Sequence, residues 1–284
     1  MSAFVTFEDV SKVYHSGEIE IRAVDHISFT IEKGEFCVIV GPSGAGKTTV
    51  LNMLGGMDAC SGGTITVDGT LVSGFNARQL TTYRRHDIGF VFQFYNLVGN
   101  LTALENVELA AQICKDPLDA ATVLNEVGLS ARANNFPGQL SGGEQQRVAI
   151  ARALATNPKI ILCDEATSAL DPMTTESILS LLQTINRTQN ITIVVITHEM
   201  KVIQQICNRV AVLDEGRIQE TGPVSEVFSH PQTRAAKRLV LARMQDADAP
   251  CVKLELPEDE KELAALMAYV KAHNLKVLEG EEHV

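Results

Sequence analysis

The chain has 284 residues, of which 45% are hydrophobic and 21% are charged, and its formal net charge at pH 7 is −11. These values are typical of a globular protein and exclude the collagen-like, low-complexity and disordered classes. The negative charge argues against nucleic-acid binding, because neutralising phosphates requires clustered Lys and Arg. The length predicts one main domain with an appendage.

The six cysteines are scattered along the chain, and no pair has the C-x-x-C spacing of a zinc site. They indicate buried free thiols in a reducing cytosol rather than disulfides. The N-terminus lacks the apolar run of a signal peptide, and the longest purely apolar runs have the length of a strand. We therefore expect no direct membrane span, so that any membrane role requires a partner.

The predicted elements alternate between strands and helices. Residues 3–14 and 19–31 are rich in Val, Ile and Phe and predict paired antiparallel strands at the front of the domain. Further strands are predicted at 36–40, 64–67, 88–92, 159–163, 191–197 and 210–213, and helices at 102–113, 119–127, 144–155 and 174–188. This order predicts an α/β fold with a largely parallel sheet that is covered on both faces.

Two segments depart from this alternation. Residues 94–155 have helical periodicity and no convincing strand, which indicates a helical subdomain inserted between sheet strands. Residues 246–284 are predicted to form a small β-α-β appendage, in which an amphipathic helix at 258–273 lies between two short strands. The main domain is accordingly predicted over residues 1–245.

The first motif that carries chemistry is GPSGAGKTT at residues 41–49, which matches the P-loop (Walker A) pattern. Glycines let backbone N–H groups close around phosphate oxygens, and the N-terminus of the following helix adds its dipole. The motif follows a predicted strand and precedes a predicted helix, as this chemistry requires. The residues predicted to bind nucleotide are Gly41, Pro42, Ser43, Gly44, Ala45, Gly46, Lys47, Thr48 and Thr49, with Lys47 on the β- and γ-phosphates and Thr48 on Mg²⁺.

A P-loop indicates nucleotide binding but does not identify the family of the protein. A second motif narrows the possible families. LSGGEQQR at residues 140–147 precedes a helix, the apolar strand IILC at 160–163 and then Asp164-Glu165. With these motifs the chain resembles the ABC (ATP-binding cassette) transporter ATPases over about residues 3–240. The resemblance implies the ABC ATPase fold of the P-loop NTPases, Mg²⁺-dependent ATP hydrolysis, and a homodimer around two ATP. It also implies a separate integral membrane permease and a cytoplasmic position, peripheral on the inner face of the cell membrane.

The same resemblance implies roles for residues around the phosphates. Asp164 matches the aspartate that meets Mg²⁺ through water, and Glu165 matches the catalytic base that polarises the attacking water. Gln93, after a predicted strand, matches a glutamine that reaches both Mg²⁺ and the water. His198 matches the histidine that hydrogen-bonds the γ-phosphate. A lone histidine is more often structural, but the Thr-His-Glu context after a strand favours the functional role.

The resemblance also implies residues that bind the ATP held by the opposite subunit and one residue that stacks on the adenine base. Ser141, Gly142 and Gly143 match the motif that binds the γ-phosphate held by the opposite subunit, while Ser141 can also cap the helix that begins there. Asp171 matches the residue that couples the two sites. Tyr14 matches the aromatic residue that stacks on adenine, although an aromatic in a strand usually belongs to the core.

The resemblance is divided between two groups of transporters. Residues 3–162 are similar to lipoprotein-releasing and macrolide-exporter ATPases, whereas residues 163–245, with CDEATSALDP and EVFSHPQT, are similar to methionine importer ATPases. Import and export both remain open at this point. The appendage is about half the size of the importers' regulatory domain, which favours packing or dimerisation over ligand sensing. An ABC ATPase outside transport would need a coiled coil, zinc modules or a second cassette, and none is visible in the sequence.

Overall fold

A computed structural model of the chain describes residues 3–17, 19–197, 203 and 206–246. The chain divides into one unit of residues 1–236 and a second unit of residues 237–284. The predicted strands and helix of the appendage lie outside the described residues, and so does His198. The appendage and its boundary therefore remain predictions.

A four-stranded antiparallel sheet, called here the front sheet, comes mainly from the start of the chain. It contains β1 (Val5–Ser16), β2 (Ile19–Ile31), β4 (Gly62–Val67) and β5 (Thr70–Leu71), in the order β2-β1-β4-β5. β1 and β2 pair antiparallel, as their alternating apolar residues predicted.

The second sheet, called here the main sheet, has six strands in the order β10-β9-β3-β8-β7-β6. Its strands are β3 (Phe36–Val40), β6 (Ile88–Phe92), β7 (Ile160–Asp164), β8 (Thr192–Ile196), β9 (Arg209–Asp214) and β10 (Arg217–Pro223). All are parallel except β10, which pairs antiparallel with β9. Every residue of β3 and β8 is buried, as expected for parallel strands covered on both faces.

β10 was missed by the sequence analysis, which placed no strand between residue 213 and the appendage that begins at residue 246. The strand is polar and mostly exposed, so it lacks the apolar run that marks a buried strand. It is formed because Glu215 and Gly216, with φ of 46° and 74°, make the two-residue turn that joins antiparallel strands.

Eight helices have both ends within the described part of the chain. They are α1 (Lys47–Leu54), α2 (Ala77–His86), α3 (Ala103–Ala111), α4 (Ala120–Glu126), α5 (Gly142–Ala155), α6 (Pro172–Gln189), α7 (Val224–Ser229) and α8 (Arg234–Asp246). Between β6 and β7 the chain forms α3, α4 and α5 with short 3₁₀ turns and no strand, so a helical segment is inserted into the main sheet. The predictions omitted α2, in which Tyr83 is the one buried residue, and also α7 and α8.

Alternate residues of β7 show how the main sheet is covered. Ile161 and Cys163 belong to a buried cluster with residues of α3 to α6, such as Val107 and Leu179. Ile160 and Leu162 belong to a second cluster with α1 and the front sheet, for example Leu51 and Phe7. The α/β architecture with a sheet covered on both faces is therefore confirmed.

Five of the six cysteines are described, and all five are free thiols. Cys37 and Cys163 are buried as predicted, but Cys60, Cys114 and Cys207 are only partly buried. No helix in the described residues combines the length and apolar character needed to cross a bilayer.

Candidate active site

Four neighbouring parallel strands of the main sheet, β6, β7, β8 and β3, end at the same edge, and the first three end level with one another. Phe92 pairs with Asp164, and Asp164 pairs with Ile196. Ile196 in turn pairs with Ile39 of β3, which leads into residues 41–46. The loops after these four strands therefore meet at the carboxyl edge of the sheet, where α/β proteins bind their ligands.

The residues that follow these strand ends are those predicted to carry the chemistry. Gln93 follows β6 and is partly buried, and Glu165 follows β7. Thr197 follows β8 and is the last described residue before His198. The sheet thus brings Gln93, Asp164 and Glu165 to the edge where the P-loop begins.

The helix after the P-loop begins without a side-chain cap. Its N-cap is Gly46, at φ 99°, and no side chain accepts a hydrogen bond from its first turn. Each helix from α2 to α6 has such a cap, provided by Asn76, Thr102, Asp119, Ser141 and Asp171 respectively. The first N–H groups of α1 therefore have no side-chain acceptor, which suits the binding of phosphate oxygens.

The three glycines of the P-loop have different local surroundings. A β-carbon at Gly41 would lie 1.9 Å from the carbonyl oxygen of Leu213, and one at Gly46 would lie 2.3 Å from that of Ala23. A β-carbon at Gly44 would meet nothing within 4 Å, although its φ of +79° also favours glycine. Gly41 and Gly46 thus allow close backbone packing, and Gly44 borders open space within the loop.

The Lys47 ammonium folds back over this loop. Its Nζ donates hydrogen bonds to the carbonyl oxygens of Gly41, at 2.9 Å, and Pro42, at 2.8 Å. Burial lowers the pKa of Lys47, while the nearby carboxylates of Glu165 and Asp164 act in the opposite direction. A positive charge is therefore held at the loop, where it can bind phosphate.

Two of the three predicted Mg²⁺ ligands, Thr48 and Asp164, are in direct contact. Thr48 Oγ1 donates a hydrogen bond of 3.2 Å to Asp164 Oδ1. Burial raises the pKa of Asp164, the hydrogen bond from Thr48 lowers it, and the neighbouring Glu165 raises it again. Hydroxyl and carboxylate oxygens are the donors that Mg²⁺ prefers, so this pair fits the ion.

Glu165 has a backbone conformation that is unusual for a residue with a side chain. Its φ is 47°, in the left-handed region. Its N–H donates to the carbonyl oxygen of Ile196 at 3.1 Å, and its carbonyl accepts from Ser168 N and Oγ at 3.1 and 2.9 Å. Such strain costs about 1–3 kcal/mol and is concentrated at functional sites. The hydrogen bonds hold the glutamate beside Asp164.

The residues predicted to act on the partner's nucleotide line a separate cleft of about 470 Å³ between the starts of α5 and α6. Its lining includes Ser141, Gly142, Gly143 and Asp171, and it includes no P-loop residue. Ser141 also caps α5, because its Oγ accepts from Glu144 N at 3.3 Å while Ser141 N donates to Glu144 Oε2 at 2.8 Å. Both interpretations of Ser141 are therefore compatible.

The site predicted for the adenine base lies next to the P-loop. The Tyr14 hydroxyl donates to Asp58 Oδ2 at 2.6 Å and lies near the Thr49 side chain. The Tyr14 residue is 40% exposed, so it is not a core aromatic. A base could therefore reach its ring.

Four residues around these sites were missed by the sequence analysis. Arg152 of α5 donates to the carbonyl oxygen of Tyr95, near Gln93. The Tyr95 hydroxyl lies 2.7 Å from where a β-carbon on Gly142 would stand. The others, Lys12 and Asp58, contact Tyr14. Only Lys12 had a local signal, because it lies two residues before Tyr14 on the same strand.

Comparisons with known proteins agree with this geometry. A family model described as "ABC transporter" matches residues 24–168. The methionine import ATP-binding protein MetN 1 of Pseudomonas putida is 50% identical over 242 residues, which are 83% of this chain and 72% of that protein. A protein of the same name from Staphylococcus aureus is 45% identical over 251 residues, which are 87% and 73% of the two chains. The chain belongs to the ABC transporter family.

Among solved structures, the ATP-binding cassette MJ0796 superimposes on this ABC ATPase with a TM-score of 0.71 and 41% identity. The match covers 78% of this chain and 98% of that chain, which was solved as a dimer bound to ADP and Pi. The P-loop ABC ATPase fold is thereby confirmed. The chain is the subunit of an ABC transporter that binds and hydrolyses ATP.

Proposed function

We propose that this ABC ATPase drives a methionine importer. The observation that carries the proposal is the 45–50% identity to methionine import ATP-binding proteins over more than four fifths of the chain. The segment from Cys163 onward, similar to the same importers, supports it. The exporter-like motifs of residues 3–162 favour the competing function, the export of lipoprotein, peptide or macrolide.

Two copies of the chain would form the working unit. Each ATP would lie between the P-loop of one copy and Ser141, Gly142 and Gly143 of the other, with Asp171 coupling the sites. Within one subunit Ser141, Gly142 and Gly143 line a cleft that contains no P-loop residue, and this separation supports the arrangement. Because the P-loop of each copy would face Ser141, Gly142 and Gly143 of the other, the two contacts would be related by a two-fold axis, as in an isologous dimer.

Within each site the residues would have distinct tasks. The N–H groups at the start of α1 and the Lys47 ammonium bind the phosphates, and Tyr14 stacks on the base. Thr48, Asp164 and Gln93 would hold Mg²⁺, which would supply positive charge to offset the charge of the phosphate oxygens. Glu165 orients and polarises the attacking water.

His198 would hydrogen-bond the γ-phosphate. Its assignment rests on its position in the sequence, one residue after Thr197 at the carboxyl edge of the sheet.

A separate integral membrane permease would dock beside Gln93. A cleft of about 250 Å³ there is lined by Gln93, Phe94, Tyr95, Asn96, Leu97, Pro137, Gln145 and Ala169. Phe94 is 71% exposed, which is unusual for an aromatic side chain and typical of a residue that a partner covers. The ATPase would then lie on the cytoplasmic face of the membrane, where ATP is supplied.

The test is transport by the native complex. The permease that co-purifies with the tagged chain is reconstituted into vesicles with ATP only in the lumen, and labelled methionine is added outside. ATP-dependent accumulation of methionine in the lumen supports the proposal, and the complex with Glu165→Gln should accumulate none. Efflux of a preloaded lipopeptide or macrolide without methionine uptake would establish the exporter function instead.

A further inference from the structure

The phenol ring of Tyr14 is held by two residues outside the nucleotide-binding motifs. Lys12 Nζ lies over the ring, 4.8 Å from its centroid. The Tyr14 hydroxyl donates to Asp58 Oδ2 at 2.6 Å, and Lys12 Nζ donates to Asp58 Oδ1 at 2.5 Å. One carboxylate thus binds both the ring's hydroxyl and the cation above the ring.

Lys12 is fixed rather than free to move in solvent. Its side chain is 12% exposed, and its ammonium also donates to the carbonyl oxygen of Ala59 at 2.7 Å. The Asp58 side chain is 26% exposed. Burial raises the pKa of Asp58, but hydrogen bonds from Lys12 and Tyr14 outweigh burial and hold that pKa below its ordinary value. The carboxylate is therefore charged at neutral pH and binds both donors.

We propose that Lys12 and Asp58 are positioning residues that orient the Tyr14 ring for the adenine of ATP. With Lys12 over one face of the ring, the opposite face is left for the base. Asp58 fixes the hydroxyl end of the ring, which lies near the P-loop residue Thr49. This inference rests on the proposed stacking role of Tyr14 and extends it.

The surroundings leave room for a base. Tyr14 is 40% exposed, and Ile21, directly opposite it on β2, is 54% exposed. Opposite residues of an antiparallel pair project from the same face of the sheet, so the ring borders an uncovered apolar surface. A fixed ring saves the entropy of ordering a tyrosine when the nucleotide arrives, and this saving favours binding.

The proposal predicts that changing Lys12 or Asp58 weakens binding of the adenine base and leaves binding of the phosphates unchanged. Asp58→Ala and Lys12→Met should each weaken Mg-ADP binding by about three- to tenfold, because stacking on a misplaced ring is weaker. Binding of Mg-pyrophosphate, which has no base, should be unchanged. In ATP hydrolysis the KM should rise by a similar factor while kcat changes less than about twofold, since the base takes no part in the chemistry.

The experiment is calorimetric titration of the full-length chain with Mg-ADP and with Mg-pyrophosphate. Asp68→Ala is the matched control, because it also removes the carboxylate of a lysine–aspartate pair, with Lys159 at 3.0 Å, away from Tyr14. It should leave both affinities unchanged. Adding Asp58→Ala to Tyr14→Ala should not weaken ADP binding further, whereas two independent effects would add.

The outcomes separate two claims. If the wild-type chain binds ADP no more tightly than pyrophosphate, or if Tyr14→Ala keeps the preference for ADP, the stacking role of Tyr14 is wrong and this proposal falls with it. If Tyr14→Ala loses the preference but Asp58→Ala and Lys12→Met both keep it, only the positioning role is overturned. Equal losses of ADP and pyrophosphate binding in both variants would indicate damage to the fold and would also overturn the positioning role. Lys12→Met is the milder of the two changes, because it keeps most of the apolar stem of the side chain.

Discussion

Thr48 and Asp164 are joined by a hydrogen bond of 3.2 Å although they lie 116 residues apart in the chain. Thr48 is at the start of α1, after β3, and Asp164 is the last residue of β7. Two strands of the main sheet therefore bring together two of the three proposed Mg²⁺ ligands. The first prediction follows from this contact.

Asp164→Asn should leave nucleotide bound but raise the Mg²⁺ concentration needed for half-maximal ATPase activity. The amide removes the negative charge that attracts the ion, and we expect kcat to fall about 100-fold or more. The measurement is the ATPase rate as a function of Mg²⁺ concentration, with Asp68→Asn as control. An unchanged Mg²⁺ dependence would show that Asp164 does not hold the metal.

Glu165→Gln should retain ATP binding and stop turnover. The amide cannot act as a base, and loss of general base catalysis costs about 10²–10⁴-fold in rate. Because ATP is then bound but not hydrolysed, the variant should accumulate as a dimer in size-exclusion chromatography with ATP and Mg²⁺. Hydrolysis at the wild-type rate would exclude Glu165 as the base.

Gly143→Asp should abolish activity without preventing nucleotide binding to the variant's own P-loop. The new carboxylate would stand where the partner's γ-phosphate belongs, and its β-carbon would begin 2.5 Å from Thr174 Cγ2. ADP affinity, measured by titration, should stay close to that of the wild type. Normal turnover in this variant would contradict the shared-site arrangement.

Mixing the Gly143→Asp variant with a Lys47→Ala variant tests the shared site more directly. Neither homodimer would have an intact site, but the mixed dimer would pair the intact P-loop of one chain with the intact residues 141–143 of the other. Activity should recover to at most roughly a quarter of wild type, since half of the dimers carry one intact site each. If mixed dimers form but activity does not recover, Gly143 and Lys47 of one subunit would belong to the same site. That result would contradict the shared-site arrangement.

Gly44→Ala and Gly46→Ala should have different effects. At Gly46 a β-carbon would clash with the Ala23 carbonyl oxygen at 2.3 Å, so we expect a loss of folding stability of about 3 kcal/mol or more. At Gly44 the space is open, so only the left-handed backbone costs about 1–2 kcal/mol. Thermal unfolding should show the larger loss for Gly46→Ala. ADP titration of Gly44→Ala should show weaker binding, because its methyl group lies at the phosphate loop.

Deleting residues 247–284 should lower the fraction of nucleotide-free dimer and spare ATP hydrolysis. The sequence predicts an amphipathic helix there, with Leu263, Leu266, Met267 and Val270 on one face, and two short strands that are too few to be stable alone. Two copies would pair through this face. Sedimentation velocity without nucleotide measures the dimer fraction. An unchanged profile would favour a packing appendage, and a loss of methionine-dependent inhibition would indicate a sensor.

Local sequence determined the parts of the site that depend on contiguous residues. Residues 41–49 carry their own turn glycines, lysine and hydroxyls, so their chemistry could be predicted before the fold was known. Ser141 could be predicted as a helix cap for the same reason, because its partner Glu144 is three residues away. The strand at 88–92 was predicted with its observed bounds because its buried residues are nearly all apolar.

Tertiary structure alone decided which distant side chains meet. Asp58 binds Tyr14 across 44 residues, and Arg152 binds the Tyr95 carbonyl across 57. No periodicity or spacing marks such pairs, since each depends on how β1, β6 and α5 are placed by the sheets and the two buried clusters. Packing of apolar residues sets the position of these elements, and polar contacts between them form only after that position is reached.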